Sequence, residues 1–303
     1  MTGFQHTPVL LTEVIEALAL PPDARVVDCT FGGGGHTEAA LAAGANVLGL
    51  DRDPEAIRHG ADAVRRYKGR LTLDHAPFSD LRGALVRRGW TAVDAVMADL
   101  GVSSHQLDQP ARGFSFRHSG PVDFRMDPTS GVPLSAWLET VDEATLAGVL
   151  REHGDVSQAR RVAAAILAGR PFRDTVALAD TIARALGGRT RRTHPATTAF
   201  QALRIALNRE MDELDTLLRT LPDVLVPGGR LAILTFHSGE DARVKATLRA
   251  GSVSALPRDA YGHPVGNAVW SQLRDRSPAT SDPNPRARSA RLRTATRSPW
   301  TPL

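Results

Sequence analysis

Hydrophobic positions in the first hundred residues form short continuous runs, each followed by a stretch in which apolar residues recur at helical spacing. Short apolar runs bounded by turns are typical of buried strands, and the periodic stretches are typical of helices. The alternation therefore predicts βαβ units on a parallel sheet. Four strands are predicted by the runs at 25–29, 46–50, 71–73 and 93–98, and a fifth by the run at 231–236, which follows a Pro-Gly-Gly turn.

A different pattern fills the roughly 130 residues between the fourth and fifth predicted strands. This stretch is too long for one crossover connection, and its apolar positions have helical spacing, so we expect an inserted helical domain. The expected boundaries are 107–206 for the inserted domain, with 1–106 and 207–303 forming the sheet domain.

Helix and strand limits beyond the first hundred residues follow from capping and turn residues. One helix is predicted to end near Gly154, another to end before Gly187, and a third to run unbroken over 200–221. The Ser-, Pro- and Arg-rich segment 275–290 predicts an irregular loop, and 290–296 predicts an edge strand.

The composition limits the location and the chemistry. No apolar run approaches the roughly 18 residues that cross a bilayer, and residues 1–14 lack the basic start of a secretory signal and include Glu13. We therefore expect a cytoplasmic protein without membrane contact. Cys29 is the only cysteine, which excludes an internal disulfide and a cysteine-rich zinc site.

The charge is distributed unevenly. Residues 1–150 carry 13 Lys and Arg against 19 Asp and Glu, a net charge of −6, whereas residues 151–303 carry 24 against 14, a net charge of +10. The basic half is the better surface for a polyanion. Composition alone does not decide whether that polyanion is a nucleic acid.

A glycine-rich turn follows the first predicted strand, which ends near Asp28. Four consecutive glycines at 32–35 allow positive φ angles and close approach of a ligand, and the next helix offers free N–H groups to a carboxylate or phosphate. A dinucleotide fingerprint would need glycine at position 37, where this chain has Thr37. That departure weighs against a nicotinamide oxidoreductase.

Three further side chains follow successive strand ends. Asp51 stands where a carboxylate accepts hydrogen bonds from the hydroxyls of a ribose, whereas Asp53 is better interpreted as a helix cap. Phe78 follows the third strand and is placed either to stack on an adenine or to pack in the core, and Asp99 ends the fourth. Carboxyl ends of parallel strands share one edge of the sheet, so this set fits a nucleoside that carries a small reactive group, and S-adenosylmethionine fits best.

Several longer motifs extend over most of the chain. They are FGGGGHT at 31–37, DRDP at 51–54, DLGVSSHQLD at 99–108, RGFSF at 112–116, GPVDFRMDP at 120–128, HPATTAFQALRIALNRE at 194–210, PGGRLAILTFHSGED at 227–241 and NPRARSARLR at 284–293. With these motifs the chain resembles one known family, the bacterial 16S ribosomal RNA cytosine-N4 methyltransferases, also called MraW or ribosomal RNA small subunit methyltransferase H. The resemblance implies an α/β fold of class I S-adenosylmethionine-dependent methyltransferases, a Rossmann-like sheet with an inserted helical domain.

The resemblance also implies the residues that bind the methyl donor, S-adenosylmethionine. Carried over by position, they are Gly34, Gly35, His36, Asp51, Phe78, Asp99 and Gln106. This chain departs from the family pattern at Gly239, where the family has leucine, and at Ser119, Val122 and Phe124.

The implied reaction is attack of a cytosine N4 amine on the sulfonium methyl group, for which no metal is needed. Because the amine lone pair is delocalised into the ring, an acceptor for its N–H protons would lower the barrier. Asp99 is the leading candidate for that acceptor. His237, at the end of the fifth strand, is a second catalytic candidate, although a structural histidine fits equally well.

The implied substrate is a decoding-centre cytosine in 16S rRNA of the 30S subunit, and arginine clusters are the expected contacts with the RNA backbone. The first cluster is Arg189, Arg191 and Arg192, and the second is Arg286, Arg288 and Arg291. The alternative function is a non-catalytic RNA-binding factor of 30S assembly, which would not need Asp51 and Phe78 at strand ends. The sequence leaves the oligomeric state open.

Overall fold

The computed structural model describes residues 8–188, 194–278 and 285–299, with residues 285 and 286 described by their backbone alone. Strands in these ranges form one mixed sheet in the order β3-β2-β1-β4-β5-β7-β6. They are β1 (Arg25–Asp28), β2 (Asn46–Asp51), β3 (Leu71–His75), β4 (Val93–Asp99), β5 (Leu225–Thr235), β6 (Trp270–Arg276) and β7 (Arg291–Arg297). Strands β1 to β5 pair in parallel, and β7 is antiparallel to both β5 and β6. The five strands predicted from apolar runs are confirmed.

Helices connect the strands and fill the segment between β4 and β5. They are α1 (Leu11–Leu18), α2 (Gly35–Ala42), α3 (Pro54–His59), α4 (Ala61–Arg66), α5 (Leu81–Arg88), α6 (Ser104–Asp108), α7 (Leu134–Thr140), α8 (Glu143–Gly154), α9 (Ala159–Gly169), α10 (Thr175–Ala185), α11 (Ala196–Leu207), α12 (Glu210–Val224) and α13 (Ser238–Ala250). The predicted helix ends at Gly154 and before Gly187 are confirmed. Asp142 and Asp174 begin α8 and α10 as N-caps, each accepting a backbone N–H in the first turn.

The sheet is buried on both faces, which explains why its central strands are continuously apolar. Val26 and Val27 are both fully buried, but they face opposite sides because side chains alternate along a strand. Val26 belongs to the core that includes residues of α1 and α2, and Val27 to the core that includes residues of α5, α12 and α13.

Contacts divide the chain into two compact units, Met1–Gly101 with Asp212–Leu303, and Val102–Met211. The first contains the sheet. The second is helical with its own core, in which Leu146, Leu150 and Ile166 are fully buried. The unit limits lie five residues from the boundaries expected from the sequence at 106 and 206.

The prediction of one unbroken helix over 200–221 is wrong. The structure has two helices there, interrupted at Asn208 and Arg209, and Arg209 has a φ of 52°. The side chain of Asn208 is buried, accepts a hydrogen bond from Met126 N–H at 2.8 Å and donates one to the Phe124 carbonyl at 2.8 Å. These bonds to a distant segment stabilise the interruption, although the apolar spacing continues through it.

The predicted edge strand is a strand, but it is not at the edge. β7 lies between β5 and β6, and β6 is the outermost strand on that side. The sequence analysis missed β6, whose pairing with β7 shifts register between Ser271 and Arg274. Gln272, at the bulge, has a φ of 51°, so the regular alternation of apolar and polar residues is interrupted there.

The architecture confirms the expected fold class, the α/β class I S-adenosylmethionine-dependent methyltransferase fold with a helical insertion. The strand order reverses direction between β1 and β4, the position at which open α/β sheets bind ligands. Within the described ranges, no helix is long and apolar enough to cross a membrane.

Candidate functional site

The end of β1 is tied to the start of α2 through Asp28. This side chain is 2% exposed, and its two oxygens accept hydrogen bonds from Thr30 N–H at 3.1 Å and from the Thr37 hydroxyl at 2.7 Å. Burial raises the pKa of Asp28, partly offset by those bonds. The residue that breaks the dinucleotide fingerprint, Thr37, therefore has a structural role that the sequence analysis did not assign.

Two of the four residues at 32–35, the glycine turn, occupy conformations that other residues rarely adopt. Gly32 and Gly34 have φ angles of 51° and 80°. A Cβ at Gly34 would lie 2.9 Å from the Phe31 ring, and one at Gly35 would lie 2.3 Å from Pro8 Cγ. The turn thus needs glycine both for its conformation and for the close approach of its neighbours.

Asp51, at the end of β2, binds the glycine turn directly. Its Oδ2 accepts a hydrogen bond from Gly32 N–H at 2.7 Å, and its Oδ1 accepts one from Asp53 N–H at 2.8 Å. Burial nevertheless raises the pKa of Asp51 to about 6. Each carboxylate oxygen has a second lone pair, so Asp51 can still accept hydrogen bonds from a ligand. Asp53 accepts from Glu55 N–H and is the N-cap of α3, as predicted.

Phe78 lies directly after β3, at the start of a 3₁₀ turn that spans Phe78–Asp80. Its ring is half-buried and packs against the core on the Val27 side of the sheet. The structure thus supports the packing interpretation of Phe78 and leaves part of the ring accessible for stacking.

Asp99, at the end of β4, has a buried carboxylate oxygen, Oδ1, that accepts no hydrogen bond from the described part of the chain. Its backbone N–H donates to the Thr30 hydroxyl at 2.6 Å, but no described residue donates a hydrogen bond to its carboxylate, and Oδ1 is buried. Burial raises the pKa of Asp99 to about 6; the positive charge of His36 lowers it, and Asp28 and Glu240 raise it further. A buried acceptor with no donor costs stability, which is typical of functional sites.

His36 lies beside Asp99, with Nδ1 at 3.9 Å from Asp99 Oδ2. Its other ring nitrogen, Nε2, is 3.2 Å from the Val9 carbonyl oxygen. A carbonyl oxygen only accepts, so Nε2 carries the hydrogen of this bond. The structure therefore places Asp28, Asp51 and Asp99 at the carboxyl ends of three neighbouring strands, with His36 of α2 beside Asp99.

His237 caps a helix. Its Nδ1 accepts from Glu240 N–H at 3.4 Å, and Nε2 lies 3.1 Å from Glu240 Oε1. The buried Glu240 in turn accepts from His237 N–H at 3.4 Å, which completes a capping box at the start of α13, and it also accepts from Phe236 N–H at 2.8 Å. These contacts give His237 a structural role, but its buried Nε2 forms no hydrogen bond with any described residue, so its catalytic role stays a prediction. A Cβ at Gly239 would lie 3.2 Å from Nδ1, so this departure from the family pattern relieves crowding against the ring.

Gln106 belongs to the helical unit, where it is 5% exposed. Its Oε1 accepts from Ser103 N–H at 3.0 Å, and its own N–H donates to the Ser103 hydroxyl at 3.2 Å, forming the capping box of α6. The side chain amide N–H groups of Gln106 are not part of this box.

The predicted RNA-binding arginines are only partly covered by the structure. Arg189, Arg191 and Arg192 lie outside the described residues, as does the side chain of Arg286. Arg288 and Arg291 are both exposed. In the described ranges, no group of His, Cys, Asp and Glu could hold a metal ion.

Comparisons with known proteins agree on one family. A sequence model described as the MraW methylase family matches residues 3–298. The ribosomal RNA small subunit methyltransferase H of Sphingopyxis alaskensis is 47% identical over 308 residues, covering 97% of this chain and 93% of that protein. The protein of the same name from Rhizorhabdus wittichii is 46% identical over 311 residues, covering 99% and 96%.

A solved rRNA methylase from Streptococcus thermophilus is similar with a TM-score of 0.41 and 12% identity, covering 95% of this chain and 92% of that one. At that level the superposition carries no argument about activity, so the assignment depends on sequence. With the family model matching nearly the whole length, the chain belongs to the MraW methylase family.

Proposed function

We propose that this protein transfers a methyl group from S-adenosylmethionine to the N4 amine of a decoding-centre cytosine in 16S rRNA of the small ribosomal subunit. Membership of a methylase family and the name shared by relatives at 42–47% identity support methylation of small-subunit rRNA. The sequence resemblance supports the cytosine N4 atom as the acceptor of the methyl group. The observation that carries the chemistry is the Asp99 carboxylate, which no described residue supplies with a hydrogen bond.

The methyl donor is S-adenosylmethionine, and when bound it supplies an electrophilic methyl group. We assign its binding to the residues implied by the resemblance, Gly34, Gly35, His36, Asp51, Phe78, Asp99 and Gln106. Asp51 would accept from ribose hydroxyls with lone pairs that Gly32 and Asp53 leave unused. The accessible part of the Phe78 ring would lie against the adenine.

Asp99 then acts on the amine. N4 bonds to the methyl carbon as the carbon–sulfur bond breaks, and the sulfur leaves with the bonding electron pair as S-adenosylhomocysteine. During this displacement N4 loses conjugation with the ring, becomes positively charged, and must lose a proton. A carboxylate that accepts an N4–H bond stabilises this charge as it develops and can take the proton. With a pKa of about 6, Asp99 is mostly ionised at neutral pH and yet more basic than an ordinary carboxylate. The base must leave its stack to reach a strand-end crevice.

Nucleoside mass analysis of 16S rRNA tests the proposal. A deletion strain should lose one methyl group from a cytidine, wild-type protein should restore it, and Asp99→Ala should not. Asp94→Asn is the matched control, because Asp94 lies at the other end of β4 and accepts from Arg25 N–H at 2.7 Å. An unchanged cytidine in the deletion strain would contradict the proposal and favour a non-catalytic role in 30S assembly.

A further inference from the structure

A second cationic feature lies in the sheet unit, away from the glycine turn. The face of β5, β7 and β6 next to α1 holds a groove of about 270 Å³. We call it the arginine groove, and its charged lining residues are Arg230, Arg274, Arg276 and Glu16. Neither the strand-end site nor the predicted arginine clusters include any of these residues.

Strand register places the three arginines on one face. Arg230 and Arg274 pair with Thr296 and Thr294 of β7, and Arg276 pairs with Leu292. These β7 positions are two residues apart, so they and their partners share a side. The bulge in β6 turns Gln272 to the same groove.

The other face of these strands is already occupied. Arg293 binds Asp241 of α13 through two hydrogen bonds of 2.8 and 3.0 Å, and Ala295 is buried in the core on the α13 side. On the groove face, Leu292 belongs to the core next to α1 and also lines the groove, together with Thr294 and Thr296. The groove therefore begins where that core ends.

The positive charge of the groove is poorly compensated. Arg230 donates to neutral oxygens, Gln272 Oε1 at 3.1 Å and Thr296 Oγ1 at 3.3 Å, so it is oriented but not neutralised. Arg276 is 3.6 Å from Glu16, but the two side chains are 50% and 63% exposed, and such surface pairs are weak. Among the described residues, Arg274 has no ionic partner and is exposed. Three cations therefore face one carboxylate.

We propose that the arginine groove binds phosphate groups of the RNA substrate's backbone. Guanidinium groups and threonine hydroxyls are the donors that phosphate oxygens prefer. No aromatic side chain is among the described residues that line the groove, so it offers no platform for stacking a base. It should therefore add affinity and position the RNA without reading sequence. This inference depends on the proposed function, because it assigns part of the same substrate.

The test compares the variant Arg274→Gln/Arg276→Gln with Arg249→Gln/Arg243→Gln, which removes the same charge from α13 on the opposite face. Affinity for 30S subunits from the deletion strain is measured over a potassium chloride titration. We expect the groove variant to bind roughly 3- to 10-fold more weakly, with a salt slope smaller by about 1 to 2, and the control to change little. Calorimetry should give unchanged S-adenosylmethionine binding, which verifies folding.

Two outcomes overturn the inference. If affinity and salt slope match wild type, the groove does not contact RNA, and normal methylation would leave the proposed function intact. If inorganic phosphate binds wild type but not the groove variant, while RNA affinity is equal in both, the groove is a small-anion site. A third outcome separates the two proposals. If the groove variant binds 30S subunits more weakly than wild type, but the wild-type protein does not methylate them, only the proposed function is refuted.

Discussion

Asp28 Oδ2 and Thr37 Oγ1 are joined by a 2.7 Å hydrogen bond that connects the end of β1 to the first turn of α2 across the glycine turn. Both side chains are almost completely buried. Because Asp28 also accepts from Thr30 N–H, this one carboxylate holds both ends of the segment that we assign to the methyl donor. The carboxylate thus stabilises a turn whose glycines would otherwise have high conformational entropy.

Replacing Thr37 with valine should destabilise the protein by about 1 to 3 kcal/mol, since it leaves a buried carboxylate oxygen without its donor. Urea unfolding measures the change. Thr91→Val, at an exposed position in the same unit, should stay within about 0.5 kcal/mol of wild type. Equal stability of the two variants would show that the bond contributes nothing.

Asp99→Asn should stabilise the ligand-free protein at pH 7. A carboxyl whose folded-state pKa is raised from 3.8 to about 6 contributes stability that is present below pH 3.8 and is lost as the pH rises through 6. The neutral variant avoids this loss, so its advantage should be about 1 to 3 kcal/mol at pH 7 and should disappear near pH 4. Urea unfolding at both pH values measures it, and a variant less stable than wild type at pH 7 would contradict the burial argument.

Methylation should slow in acid. At saturating donor and RNA, kcat should fall with a midpoint near pH 6, because protonated Asp99 cannot accept the amine N–H. Asp99→Asn should be slower by roughly 10²- to 10⁴-fold at pH 7 and should lack this midpoint. Asp51 has a similar pKa, but its protonation should change the KM for the donor and leave kcat unchanged. A midpoint retained in Asp99→Asn would assign the titration to another group.

Asp51→Ala should weaken binding of S-adenosylmethionine by roughly 10- to 100-fold. This corresponds to the net loss of one charged hydrogen bond to ribose, worth about 1.5 to 3 kcal/mol, and the variant also loses the bond that holds Gly32. Calorimetry measures the affinity, with exposed Asp62→Ala as the control. If the wild-type protein bound NADH as tightly as it binds S-adenosylmethionine, the result would instead favour the oxidoreductase interpretation.

The two predicted arginine clusters can be tested separately from the groove. Neutralising Arg189, Arg191 and Arg192 together, or Arg286, Arg288 and Arg291 together, should weaken binding to 30S subunits at every salt concentration while donor affinity stays constant. Filter binding over a salt titration measures both sets. If each triple variant methylates 30S subunits at the wild-type rate, the clusters are solvated surface.

The amino-acid sequence by itself determined features that depend on near neighbours in the chain. Buried parallel strands are continuously apolar, so β1 to β5 were predictable from short runs, and the helix ends near Gly154 and Gly187 were predictable from their glycines. The site was predictable to the extent that carboxyl ends of parallel strands share one edge of the sheet, which placed Asp51 and Asp99 at the ends of the two strands that flank β1.

Only the tertiary structure decided features that depend on distant partners. At the interruption, the Asn208 side chain forms hydrogen bonds with Phe124 and Met126, which are 84 and 82 positions away. The spacing of apolar residues does not indicate these two bonds. β6 is defined by its pairing with β7. Its bulge disrupts the alternation of apolar and polar side chains that would identify a strand from sequence. Likewise, the pKa of Asp99 is raised because folding buries its carboxyl group, whose Oδ1 accepts no hydrogen bond from any residue that the structure describes. Burial of an individual oxygen atom is a property of the packed chain and not of any local pattern.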